Sequence, residues 1–344
     1  MALKLESKQA PVFYWLLIGV FMIIVQTMLG GITRLTGSGL SITEWKPLLG
    51  AIPPLNETEW QIAFEKYKQI GQYKQLNTYF TLSDFKFIFF WEWAHRFWAR
   101  IIGIVFAVPF IIFLIQKRFN KQQVIPLIIL FLLGGLQGAI GWIMVKSGIN
   151  ETSLYVDHIK LCLHFMAAMI LLAYTWHFLL QYLKPNYGFS IPSSLNKLLL
   201  TMIVILTIQL CYGAFMAGLH AGPMAARWPM LTSDSIFPEG GESLGALKWI
   251  SHGLNVQFVH RTLAYLLCTL VAIWYFKSKQ QNLPVWVIML PIIMVIVQSM
   301  FGVFTVLYSP FKNSLIVLGT IHQFVAMLLI LTLTAVWFLR KIEN

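Results

Sequence analysis

Charge is what this sequence has least of. Only 11% of its 344 residues are charged and 58% are hydrophobic, with a mean hydropathy of +0.71, whereas a soluble protein carries ~25% charged residues. That excludes a water-soluble globular chain and predicts an all-α integral membrane protein. Acidic residues are scarcer than basic ones, 13 against 25. The net charge of +12 does not mark a nucleic-acid binder, because the basic residues are scattered over short connections between apolar runs, where they set topology. Cysteine is scarce too: Cys162, Cys211 and Cys268 all fall inside apolar runs, which argues against a disulfide framework. The ten residues MALKLESKQA ahead of the first run are not arginine-rich and lead to no small-residue cleavage site. Neither a cleaved signal nor an organelle transit peptide is expected.

What the chain has in abundance is long apolar runs. Eight reach the ~20 residues a bilayer requires: 11–29, 87–115, 124–145, 159–183, 195–219, 256–276, 284–307 and 314–339. Their connections alternate. One set is short and basic, with Lys117, Arg118 and Lys121, then Lys184 and Lys197, then Lys277 and Lys279, and the tail Arg340 and Lys341. The other set, 31–86, 146–158 and 220–255, is longer and carries Glu44, Glu57, Glu59, Glu65, Asp84, Glu151, Asp157, Glu239 and Glu242. The excess of lysine and arginine puts both termini in the cytoplasm and the longer loops outside. Within the first long loop, Thr58-x-x-Gln61 reads as a capping box, followed by Trp60, Phe64 and Tyr67 at helical spacing, which predicts a short amphipathic helix. Ser83 ahead of Asp84 reads as the cap of the second span.

The chain repeats itself. His95-Arg96 in the second span meets His260-Arg261 in the sixth, 165 residues on. Gln137-x-x-x-Gly141 in the third meets Gln298-x-x-x-Gly302 in the seventh, and His164 in the fourth meets His322 in the eighth. Gln26 and Gln209, in the first and fifth, each run into a small-residue exit, Gly30-Gly31 and Ala217-Gly218. Four spans per half give both halves the same topology. The expected architecture is eight transmembrane helices arranged as two pseudo-symmetric four-helix bundles, 1–185 and 186–344.

Ionisable groups inside a bilayer cost ~2.5–3.5 kcal/mol each at mid-depth and so mark function. His95, His164, His260 and His322 all fall ~10 Å inside the outer boundary, counting ~1.5 Å per helical residue. Each half therefore offers two imidazoles, one per helix, the arrangement a haem iron takes for two axial ligands. Zinc usually takes further ligands, and the second half has no carboxylate or cysteine at matching depth. His158, His177, His220 and His252 have no repeat partners and read as packing or surface residues. Position 92 is Glu, whereas its register partner is Gln257. Either Glu92 does acid–base chemistry at one site, or it neutralises Arg96.

The motifs GGITRLTGSGLS (30–41), EWAHRFWAR (92–100), KLCLHF (160–165), AGLHAG (217–222), VQFVHR (256–261) and HQ (322–323) together resemble haem A synthase, along nearly the whole chain. The likeness is to the proteobacterial and mitochondrial branch, which has a long first outer loop and lacks the paired cysteines of the other branch. Ala99 stands where the family often has glycine, and Phe165 where leucine is usual. The resemblance implies an oxidoreductase of the bacterial inner membrane that oxidises the C8 methyl of haem O to a formyl group, giving haem A for terminal oxidases. It further implies haem b as cofactor on His260 and His322, with substrate haem O beside His95 and His164 and Glu92 as the acidic catalytic residue. Arg34, Arg96, Arg100, Arg227 and Arg261 are candidates to pair with haem propionates, or simply snorkel at the interface. Haem O synthase and cytochrome oxidase assembly factors are candidate partners, beside the lipid bilayer and a second copy of the chain. The residues themselves leave a dihaem b-type cytochrome exchanging electrons with quinone as the main alternative. A transporter is disfavoured, since no broken helix pair lies at mid-depth.

Overall fold

The structure, a computed structural model, describes residues 9–44 and 49–342. Residues 1–8, which carry most of the leader reading, lie outside the described residues. The helices in chain order are α1 (Ala10–Leu35), α2 (Glu57–Tyr67), α3 (Gly71–Leu76), α4 (Leu82–Ile115), α5 (Lys121–Lys146), α6 (His158–Tyr187), α7 (Ser193–Gly218), α8 (Lys248–Ser251), α9 (Gly253–Ser278), α10 (Val285–Leu307) and α11 (Lys312–Leu339). Eight of them are long and apolar enough to cross a membrane: α1, α4, α5, α6, α7, α9, α10 and α11. They match the eight apolar runs one for one. The chain is an all-α integral membrane protein.

Helix starts differ from the expected ones for a capping reason. Asn56, not Thr58, caps α2: its side chain accepts from the Glu59 amide at 2.9 Å. Thr81, not Ser83, caps α4 through a full box in which Thr81 and Asp84 bond each other's backbone amides. Such a cap contributes ~1 kcal/mol and starts α4 two residues earlier, at Leu82. Helix α1 runs six residues past its apolar run, to Leu35, and over that end Thr33 and Thr36 bond back to the Leu29 and Ile32 carbonyls.

The chain divides into two compact units, one spanning Phe21–Ala168 and the other joining the residues up to Val20 to those from Met169 onward. In the first, α4 lies antiparallel along α1. Thr33 Oγ1 donates to the Trp91 carbonyl at 3.1 Å, and Trp98 Nε1 to the Met22 carbonyl at 3.0 Å. The loop between α1 and α4 has its own small core of Leu40, Phe64, Tyr67, Ile70, Phe85, Ile88 and Phe89, so the apolar face of α2 is buried against α4. Inside it, burial raises the Tyr67 phenol to about 12, since the charged form would lose its solvation. The second unit packs α7 on α9, α9 on α10 and α10 on α11. Trp176 Nε1 donates to the Leu331 carbonyl and Trp274 Nε1 to the Val287 carbonyl, each at 3.0 Å. Two short parallel strands, β1 (Phe189–Ile191) and β2 (Arg340–Ile342), pair with Phe189 opposite Arg340.

Candidate functional site

Each unit contains one pair of the repeat-related histidines. His95 on α4 and His164 on α6 belong to the Phe21–Ala168 unit, and His260 on α9 and His322 on α11 to the other. All four are partly buried. In the second pair the ring centroids are 6.4 Å apart with planes at 75°. Two imidazoles sharing one metal at metal–nitrogen bonds of ~2 Å place their ring centres on the order of 6 Å apart, so this pair fits a single iron between them.

Every one of the four rings rests against a glutamine and a glycine of a neighbouring helix. The Gln26 amide nitrogen lies 3.2 Å from His95 Nδ1 and 3.4 Å from Nε2. That of Gln137 lies 3.3 Å from His164 Nδ1 and donates to the His164 carbonyl at 2.9 Å. Gln209 and Gln298 stand 3.4 and 3.3 Å from Nε2 of His260 and His322. The His322 Nδ1 meets the Gln298 backbone carbonyl at 3.2 Å, a partner that can only accept and so puts the proton on Nδ1 and leaves Nε2 the lone-pair nitrogen. The amide oxygens of all four glutamines are buried with no hydrogen-bond partner. A buried orphan of this kind costs ~1–3 kcal/mol, and here it recurs at four equivalent places, which fits sites that take up a further group.

The residue three before the first histidine of each pair ties the preceding loop to the site. Glu92, 2% exposed, accepts at Oε2 from the Ser41 hydroxyl (2.7 Å) and the Ile42 amide (2.8 Å), and at Oε1 from Arg96 (2.5 Å). Its register partner Gln257, fully buried, donates to the Ala225 carbonyl at 3.0 Å. The arginine after each histidine does the same work. Arg96 donates to the carbonyls of Ile42 and Glu44, and Arg261 to those of Ala225, Arg227, Pro229 and Met230. The Arg96 pairing is therefore real, and it is one of three contacts that converge on Glu92.

Residues 13–334 match the family model of the cytochrome oxidase assembly proteins, COX15-CtaA. The chain belongs to this family. It is 41% identical over 333 residues to the heme A synthase of Flavobacterium psychrophilum, covering 94% of this chain and 96% of that protein. The heme A synthases of Flavobacterium johnsoniae and Rhodopseudomonas palustris are each 39% identical, over 341 and 335 residues, covering 96% and 95% of this chain and 98% and 88% of theirs.

In this assembly-family chain the five arginines fare differently. Arg96 and Arg261 are committed to loop carbonyls. Arg227 is exposed and Arg100 half-buried. Arg34 carries two buried guanidinium nitrogens, Nε and Nη2, with no hydrogen-bond partner, which makes it the arginine best prepared for an added carboxylate. The histidines without repeat partners have local roles. His177 lies against Phe338, with ring centroids 4.3 Å apart, and His252 bonds Asn255 at 2.6 Å. His220 takes a left-handed φ of 52° at the exit of α7.

Sequence reading missed the partner of Gln209. The matching small residue is Gly213, one turn on, and not the Ala217-Gly218 exit. A Q-x-x-x-G search of spans one and five would have found both Gln26-x-x-x-Gly30 and Gln209-x-x-x-Gly213.

Proposed function

We infer that this chain oxidises the C8 methyl group of haem O to a formyl group, giving haem A for a terminal cytochrome oxidase. Family membership with near full-length likeness to heme A synthases carries the reading. The site geometry supports a division of labour between the halves 1–185 and 186–344. His260 and His322 hold haem b as cofactor. His95 and His164 flank haem O as substrate, with Arg34 taking a propionate.

Haem b bound at His260 and His322 supplies one-electron redox chemistry. The chain's own residues do the rest. Counted with water as the oxygen source, methyl to aldehyde is CH3 + H2O → CHO + 4 H⁺ + 4 e⁻, the electrons passing to an external acceptor, and Glu92 stands one turn from His95 to take protons released there. Loop pinning alone does not explain a carboxylate there, because Gln257 pins its loop with an amide. Neither does compensation of arginine, because Arg261 is satisfied by four carbonyls.

The chain works in the bacterial inner membrane with both termini in the cytoplasm, next to haem O synthase and the oxidase assembly factors that receive haem A. Pigment analysis of membranes containing haem O tests the function: the wild-type chain yields haem A. A dihaem electron carrier would instead leave haem O untouched and keep two equivalent haems.

A further inference from the structure

The Q-x-x-x-G element occurs four times, on α1, α5, α7 and α10, and each copy meets one of the four histidines. The contact is the same in kind each time. A Cβ built on the glycine would approach the ring at its Cε1 atom: 3.0 Å from His95 for Gly30, 2.8 Å from His164 for Gly141, 3.4 Å from His260 for Gly213 and 3.0 Å from His322 for Gly302. Four residues earlier, one turn away on the same helix face, the glutamine amide stands within 3.2–3.4 Å of a ring nitrogen. The edge of each imidazole that carries Cε1 is thus lodged in a notch with a backbone floor and a polar wall. Rings that merely filled apolar space would not need the same two residues at the same spacing on four helices.

We propose that the four Q-x-x-x-G elements are seats that fix the rotation of the histidine rings, making Gln26, Gln137, Gln209 and Gln298 positioning residues for iron ligation. The glycine sets how far the ring can swing towards the neighbouring helix, and the glutamine sets which way its nitrogen edge faces. In the second unit the two seats together hold the ring planes 75° apart. The proposal rests on the haem reading of the preceding subsection.

The seats are graded, and the grading makes the test. An added methyl at Gly302 must displace its ring, whereas at Gly213 it reaches ordinary van der Waals contact. The low-spin ferric electron paramagnetic resonance spectrum of a haem with two imidazoles depends on the angle between their planes, so it reads ring rotation directly. In purified, haem-loaded protein, Gly302→Ala shifts the g-values and the midpoint potential away from wild type. Gly213→Ala produces a smaller shift in both. Gln298→Leu, which keeps the bulk and removes the amide, also shifts them, and it carries the test if Gly302→Ala does not fold.

Spectra of Gly302→Ala and Gln298→Leu that superimpose on wild type overturn the seats while leaving bis-histidine ligation intact. So does a Gly213→Ala shift equal to that of Gly302→Ala. A wild-type signal that survives both His260→Ala and His322→Ala overturns the haem reading itself.

Discussion

Replacing Glu92 by glutamine separates the two jobs its position allows. The carboxylate accepts three hydrogen bonds, from Ser41, Ile42 and Arg96, and glutamine keeps one acceptor oxygen and nearly the same volume. Removing one partner of a buried ion pair costs ~3–5 kcal/mol when the other is stranded. Arg96 is not stranded, since it keeps the carbonyls of Ile42 and Glu44, so the expected loss is at the low end, about 3 kcal/mol. The protein should fold, retain haem on His260 and His322 and still bind haem O. A lost general base lowers turnover by ~10²–10⁴-fold, so haem A should fall by that factor, with an alcohol-stage product accumulating. The assay is chromatographic separation of extracted haems, run beside limited proteolysis of the loop following α1. Ser41→Ala is the control, because it removes a loop contact and leaves the carboxylate. Haem A at the wild-type rate in Glu92→Gln refutes the acid–base role. An equal loss of haem A in Ser41→Ala, with the loop cut faster in both, also refutes it and leaves Glu92 as a loop fastener.

The remaining predictions concern topology, the loop core and Arg34. A cysteine at Tyr79, which is 75% exposed, should be labelled by an impermeant reagent from outside and one at the exposed Gln122 should not. The opposite pattern inverts the orientation, and Gln72 is unsuitable because it is buried and bonded to Tyr67. Tyr67 is held neutral by burial, with its hydroxyl pKa raised from 10.0 to about 12. Ionising the buried phenol therefore costs about 3 kcal/mol more in the folded loop than in the opened one, so loop stability is unaffected below pH 10 and falls as pH rises towards 12. Proteolysis of the loop should therefore steepen across that window in wild type and not in Tyr67→Phe; identical profiles would remove Tyr67 from the account. Arg34→Leu should weaken haem O binding by about tenfold or more, as loss of a charge-assisted bond of ~1.5–3 kcal/mol predicts, measured by haem O titration; unchanged affinity means the propionates lie elsewhere.

The spans and the histidines were readable in the sequence because both follow from one-dimensional regularities. A bilayer demands ~20 apolar residues per crossing, and a repeat carries its chemistry to matching positions. Partners made by chain folding were not readable. The loop residues Ser41 and Ile42 lie some fifty positions before Glu92, and only the folded loop brings their donors to its carboxylate. Helix starts slipped by two residues because Asn56 and Thr81 compete with Thr58 and Ser83 as caps, and side-chain geometry rather than composition decides between them. Gly213 went unnoticed because three more small residues follow it in GAFMAG, and the contact that distinguishes it is with a ring on another helix.

The most direct test of the central claim is the haem content of membranes in which haem O is made and this chain is the sole added protein. Wild-type chain should convert haem O to haem A, while His95→Ala and His164→Ala membranes, with the chain present and haem b retained on His260 and His322, should hold haem O alone. Haem O left unconverted by folded, haem-containing wild-type chain would contradict the account.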